Sequence, residues 1–217
     1  YNLLLELLTP VAKSYPSEMG ILSCSQGLQI LGGYGFCEEF PLEQLYRDVR
    51  IHPIHEGTTG IQGMDLLGRK MMMKKGKAAQ LYLAEVRKAI REAQDDMELK
   101  PFADKLQSAV GQLENVTAHL FGIAAKEGPE MFLADATLYL EFFGIIAIAW
   151  QWLRQAVCAG KALQKNPGES DVNFYNGKMV ACRYFYGYEL PKIEGLAIRL
   201  LSGDGLTVTM KNEYFED

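Results

Sequence analysis

The feature that most restricts the fold is the run from Met131 to Lys165. Apolar residues recur through it at three- and four-residue spacing, at Phe132, Ala136, Tyr139, Phe143, Ile146, Trp150, Leu153 and Val157. A strand would alternate every second residue, so a sustained spacing of this kind is helical. Gly128-Pro129 precede the run and Asn166-Pro167-Gly168 follow it, and both stop a helix. Its densest stretch, Phe142 to Trp150, is nine residues long between Glu141 and Arg154. A membrane span needs about twenty. The expectation is a buried core helix and no membrane span.

Three further stretches share the helical period. Ala78 to Met97 carries Leu81, Leu83, Val86 and Ile90 on one stripe, with Arg87, Lys88, Arg91 and Glu92 on the wet side. After a boundary at Pro101, Phe102 to Lys126 presents Leu106, Val110, Leu113, Leu120 and Ala124. Phe174 to Leu201 is dense in aromatics and interrupted by Pro191. These read as an antiparallel bundle. Only Leu206 to Met210, after the turn at Ser202 to Gly205, alternates weakly and suggests a short extended tail. The fold class expected is all-α.

The N-terminal third is more broken. Leu3, Leu4, Leu5, Leu7 and Leu8 start a helix that Pro10 should bend or end. Ser17-x-x-Gly20 could open another through Ile21, Leu28 and Ile30, stopped by Gly32-Gly33 and tightened by Gly35. Pro41 suits the first turn of a helix through Val49. Glu56-Gly57-Thr58-Thr59-Gly60 reads as a loop or helix start, with Thr58 or Thr59 as cap. Ile61, Met64, Leu67 and Met71 then recur at helical spacing, although Gly63 and Gly68 argue against an unbroken helix. An amphipathic element at the very first residue suggests a chain that is part of something longer, and no signal peptide is visible.

Charge and cysteine content narrow the function classes. A net charge of -5 has the wrong sign for a nucleic-acid binder. Arg69, Lys70, Lys74, Lys75 and Lys77 form the one basic cluster, either a solvated helical face or a contact for an anionic group. Cys24, Cys37, Cys158 and Cys182 form no Cys-x-x-Cys pair, which points to a reducing, cytoplasmic setting. His52 and His55 lack a third ligand at metal spacing, so no metal is expected. Lone His119 reads as structural. No Ser or Cys sits in a nucleophile elbow.

Some residues admit a chemical role beside a plain one. Glu56, next to Gly57, is a loop acid or a general base. Gly32-Gly33-x-Gly35 is a tight turn or a phosphate cradle; it follows a helical pattern, so it is not a dinucleotide fingerprint. Tyr46-Arg47-Asp48 with Arg50 reads as an ion-pair network. Most of the aromatics read as core.

Taken jointly, Gln29-Ile30-Leu31-Gly32-Gly33-Tyr34-Gly35-Phe36, Glu39-x-Pro41, Glu43, Tyr46-Arg47-Asp48 and Glu56-Gly57-Thr58-x-x-Ile61-Gln62 resemble the C-terminal helical domain of acyl-CoA dehydrogenases. The remainder resembles, more loosely, the helical extension of the larger bacterial-type members. The division this implies is residues 1–97 for the helical domain and 98–217 for the extension. The resemblance implies an FAD enzyme that converts an acyl-CoA thioester to trans-2-enoyl-CoA, with electron-transferring flavoprotein as acceptor and a homo-oligomeric assembly. Glu56 aligns with the base that takes the Cα proton, and its backbone N–H with a donor to the thioester oxygen. Gly57 aligns with a position that packs on substrate. Gln29, Gly32 and Gly33 align with contacts to the ADP part of FAD, typically a neighbouring subunit's, and Thr58 with a flavin-side contact. His55 stands where Tyr is common, and Gly60 where Asn or Gln is familiar. The alternative is a non-catalytic helical assembly module that keeps the scaffold.

Overall fold

Residues 2 to 216 are described by a computed structural model. They form helices α1 (Asn2–Ile30), α2 (Pro41–Val49), α3 (Thr59–Met64), α4 (Met73–Gln94), α5 (Lys100–Glu127), α6 (Pro129–Leu133), α7 (Ala136–Leu163), α8 (Glu169–Tyr184), α9 (Ile193–Ser202) and α10 (Leu206–Thr209). No strand occurs among the described residues, and the fold class is all-α.

Helix α7 is the core. By length and composition it could cross a membrane. Here it packs against α1, α3, α4, α5, α8 and α9 instead. Tyr139, Phe142, Phe143, Ile146, Trp150 and Leu153 are buried along it. Each such side chain contributes about 1.5–3 kcal/mol by leaving water. Tyr82 of α4 stacks on Phe143 at 4.8 Å and meets Trp150 edge-on at 5.6 Å. Two of the buried tyrosine hydroxyls have partners: Tyr186 donates to the Ala149 carbonyl at 3.0 Å, and Tyr139 shares a 2.8 Å bond with Thr117, whereas the Tyr82 hydroxyl has none. Phe174, Tyr184 and Tyr188, by contrast, are exposed.

Several local expectations are corrected. Pro10 and Pro16 do not end α1, which runs unbroken past both and needs no new start at Ser17. Leu7, Pro10, Val11, Ser14 and Ser17 form its buried face, and that burial offsets the lost backbone hydrogen bonds. The run from Met131 to Lys165 is two helices, broken where the Asp135 carboxylate is drawn to Arg199 of α9 at 3.1 Å. Within α4, Lys74, Lys75 and Gly76 are left-handed, so the regular helix begins after them and ends at Gln94. The aromatic stretch starts at Glu169, widens to a π-turn over Phe185–Glu189 and resumes as α9 after Pro191. The tail expected to be extended is helical at Leu206–Thr209. Asp204 accepts from the Leu206 N–H at 3.0 Å, and the Thr209 hydroxyl closes the turn on the Gly205 carbonyl.

The junction that positions the functional loop is α3 on the start of α7. Gly63 sits where an added Cβ would lie 2.7 Å from the Ala136 carbonyl oxygen. The helix continues as a π-turn over Asp65–Lys70. Lys70 is buried there and bonds Glu6 of α1 at 2.9 Å, while Arg69 pairs with Asp65. Two of the five residues of the basic cluster, Arg69 and Lys70, are therefore committed to ion pairs. Arg47 lies 3.7 Å from Glu43, not in a network with Asp48. All four cysteines are free, and burial pushes the Cys182 thiol up to about 12, which makes it inert.

Two outcomes follow from this junction. Gly63→Val lowers stability by about 1–3 kcal/mol through overpacking, whereas Gly60→Ala, whose Cβ would meet only the Thr58 hydroxyl at 3.9 Å, is neutral or slightly stabilising; urea midpoints followed by circular dichroism check the contrast. The hydrogen bond and charge of Lys70 hold Glu6 below its ordinary value of 4.5. A lowered acid contributes stability that is complete above that value and lost as pH falls through the folded one. A Glu6→Gln variant therefore shows a shallower loss of stability below pH 4.5 than the parent chain.

Candidate functional site

Residues 50–58 hang between α2 and α3. Pro53 is buried and its carbonyl accepts from the Thr59 N–H at 3.1 Å. His55 folds back on the Ile51 carbonyl through its backbone N–H at 3.1 Å and ring Nδ1 at 3.0 Å. Glu56 then adopts φ 53° and Gly57 φ 91°. Two consecutive left-handed residues are natural for glycine and cost a glutamate about 1–2 kcal/mol. The loop is held there from outside. Lys13 Nζ of α1 donates to the Gly57 carbonyl at 2.6 Å. Gln62 of α3 reaches the Glu56 carbonyl at 3.5 Å. Thr59 donates its hydroxyl to Glu18 of α1 at 2.6 Å.

Thr58 is the helix cap that the sequence suggested: its Oγ1 accepts from the Ile61 N–H at 3.3 Å. The Glu56 side chain is exposed. Among the described residues, the backbone N–H groups of Glu56, Gly57 and Thr58 have no protein acceptor. Successive amides in turn conformations are a common anion cradle.

The second predicted group lies at the far end of α1. Gln29 and Gly32 line a shallow cavity of 310 Å³ with Ser25, Leu28, Phe36 and Tyr46. Gly32 is left-handed at φ 60°, and neither it nor Gly33 has an atom within 4 Å of where a Cβ would stand. At 1.5 Å per helical residue, this turn is about 24 Å along α1 from Lys13. The structure thus brings Glu56, Gly57 and Thr58 together and Gln29, Gly32 and Gly33 together, but as two separate surfaces. Leu22, Ile30, Tyr34, Phe36, Leu45 and Ile54, along α1, α2 and the segments that follow each, are exposed apolar side chains.

Between these surfaces, beside Thr59, a cavity of 440 Å³ opens between α1 and α7. Burial pushes its Tyr15 hydroxyl up to about 12, with Glu189 and Glu141 adding to the effect, so it stays a neutral donor near pH 7. No cluster of three metal-ligating side chains occurs among the described residues.

Sequence reasoning missed Lys13 and Glu18. Their partners are 44 and 41 residues away, a distance no local pattern encodes. One signal was present: Lys13 is the only Lys or Arg before Arg47.

Residues 82–211 match a family described as acetyl-CoA dehydrogenase C-terminal like, and residues 5–72 match the acyl-CoA dehydrogenase C-terminal domain. A butyryl-CoA dehydrogenase of Syntrophomonas wolfei is 29% identical over 207 residues, covering 94% of this chain and 33% of that protein. A broad-specificity linear acyl-CoA dehydrogenase of Mycobacterium tuberculosis is 30% identical over 191 residues, covering 86% and 31%. The fold is that of an acyl-CoA dehydrogenase from Bacillus anthracis solved in complex with FAD, with a TM-score of 0.68 at 19% identity, over 96% of this chain and 34% of that one. This chain spans about a third of the length of the relatives it matches.

The loop geometry makes one position sensitive. Gly57→Ala places a Cβ 2.6 Å from the Gln62 amide in a left-handed backbone. It lowers stability by about 1–2 kcal/mol, checked by thermal unfolding, whereas Gly33→Ala leaves the midpoint nearly unchanged.

Proposed function

This chain belongs to the acyl-CoA dehydrogenase family, and from that premise we propose that it forms the C-terminal helical part of an FAD enzyme that oxidises an acyl-CoA thioester to trans-2-enoyl-CoA. The observation that carries the reading is the left-handed backbone of Glu56 in a loop tied to two helices. Local strain held by outside contacts is characteristic of functional positions. In this reading the Glu56 carboxylate takes the Cα proton of the thioester. Gly57, with no side chain, lets the substrate approach. The Glu56 N–H, which has no protein acceptor among the described residues, donates to the thioester oxygen as negative charge develops there. Bound FAD supplies the acceptor for the hydride that leaves Cβ.

A weakly acidic Cα proton needs a base that is close and dry. Glu56 is exposed here, so in this reading other parts of the enzyme supply the apolar wall over it. The cofactor residues fit their part. Gln29 borders an open cavity, and the bare space over Gly32 and Gly33 admits a bulky phosphate-bearing group without a clash. Thr58 adds an exposed hydroxyl at the start of α3.

The placement of Gln29, Gly32 and Gly33 at the end of α1 away from the loop that carries Glu56 supports a homo-oligomer in which those three residues of one subunit serve a flavin next to another subunit's Glu56. Acyl-CoA is the proposed substrate and electron-transferring flavoprotein the proposed acceptor. In the longer FAD-loaded protein, anaerobic addition of a short panel of acyl-CoAs bleaches the flavin. Glu56→Gln slows bleaching about 10²- to 10⁴-fold while FAD stays bound. Unchanged bleaching in that variant overturns the role of Glu56, and a protein that cannot be loaded with FAD overturns the enzyme reading.

A further inference from the structure

We infer that Lys13 is a positioning residue for Glu56: its ammonium fixes the peptide plane after Gly57 and so keeps Glu56 in the left-handed backbone that aims its carboxylate. This rests on the reading of Glu56 as the base.

Gly57 crosses between left- and right-handed backbone at little cost. Rotation of the peptide planes on either side of it would let Glu56 relax into the right-handed region that a glutamate prefers. Each plane has one external restraint. Gln62 touches the Glu56 carbonyl at 3.5 Å, at the limit of a hydrogen bond. Lys13 holds the Gly57 carbonyl at 2.6 Å with a charged donor, and charged donors make the stronger bonds. The Lys13 contact is therefore the principal restraint on the turn.

Its partner choice supports the assignment. Lys13 is half-buried and has no carboxylate within 4.0 Å among the described residues. Its charge is committed to a neutral carbonyl in the functional loop. The stem is equally constrained. Lys13 lies on α1 between Val11 and Ser14, which are buried against the core. Five residues on, Glu18 accepts from Thr59 and holds the other side of the same loop. Helix α1 thus grips the loop on both sides of Thr58. A base placed this way is sensitive to small shifts, because a 1 Å misplacement of a reacting group can cost about 10²-fold in rate.

The test uses the longer FAD-loaded enzyme with the acyl-CoA that bleaches it fastest, and compares the parent with Lys13→Met, Lys13→Arg and Glu56→Gln. Stopped-flow flavin bleaching gives the limiting reduction rate and the apparent Kd for the acyl-CoA, and steady-state turnover with an electron acceptor gives kcat, KM and their pH profiles. Hydrogen exchange at the Thr59 amide, which the ordered loop holds on Pro53, reports loop order without catalysis. Lys13→Met is expected to lower kcat by roughly 10- to 100-fold with KM nearly constant and to speed exchange at Thr59. Lys13→Arg is expected to restore most of both. A Lys13→Met enzyme with kcat within twofold of the parent, beside an inactive Glu56→Gln, overturns the positioning role and leaves the base intact. Full activity in Glu56→Gln overturns the base reading itself. A purely structural Lys13 would lower thermal stability and leave kcat of the folded enzyme unchanged, which also overturns the proposal. If Lys13→Met does not fold, Lys13→Gln, a neutral donor on a shorter stem, carries the same comparison.

Discussion

The burial of α7 governs this chain. A helix with Phe142, Phe143, Ile146 and Leu153 on several faces cannot present any of them to water. Helices α4, α5, α8 and α9 cover most of it, and α1 and α3 close the remainder. The close seat of Gly63 on the Ala136 carbonyl fixes where α3 begins. The buried Lys70 and its Glu6 partner fasten α1 to the turn that follows. The loop carrying Glu56 is stretched between elements whose positions the core has already set. Its own backbone holds little of the responsibility for its shape.

That arrangement explains how an exposed loop can be well defined. Loops lose order because nothing outweighs their conformational entropy. Here three side chains from two packed helices, Lys13, Glu18 and Gln62, meet the loop or its edge. A glutamate in left-handed backbone persists because its surroundings over-determine it. The apolar, exposed side of α1 and the 3-10 turn at Gly32–Phe36 has a different character. There, apolar side chains such as Ile30, Tyr34 and Phe36 stand exposed.

Much of the fold was legible because helical period and glycine-proline punctuation are local signals. The long helices were found from the spacing of Leu106, Val110 and Leu113 in α5 and of Tyr139, Phe143 and Ile146 in α7. Thr58 was found as a cap because capping depends on a short stretch. What failed was non-local. Pro10 and Pro16 looked like breaks because propensity says so, yet tertiary burial of the same face overrode them. Asp135 divided a continuous apolar pattern because of an arginine 64 residues away. The weak alternation at Leu206 to Met210 lost to a local turn held by the Asp204 carboxylate on the Leu206 N–H and by the Gly205 carbonyl. Glu56, Gly57 and Thr58 were singled out as candidates through a joint motif, but the strain at Glu56 and the grip of Lys13 depend on which helices lie side by side.

The most direct measurement is a crystal structure of the longer protein with FAD and a non-reactive acyl-CoA thioether. The account predicts Glu56 in left-handed backbone, with Lys13 on the Gly57 carbonyl. It also predicts the Glu56 carboxylate about 3–3.5 Å from the carbon that corresponds to Cα, the reach a reacting pair requires. A Glu56 that relaxes to right-handed backbone, or whose carboxylate turns to solvent while another base faces that carbon, would contradict it.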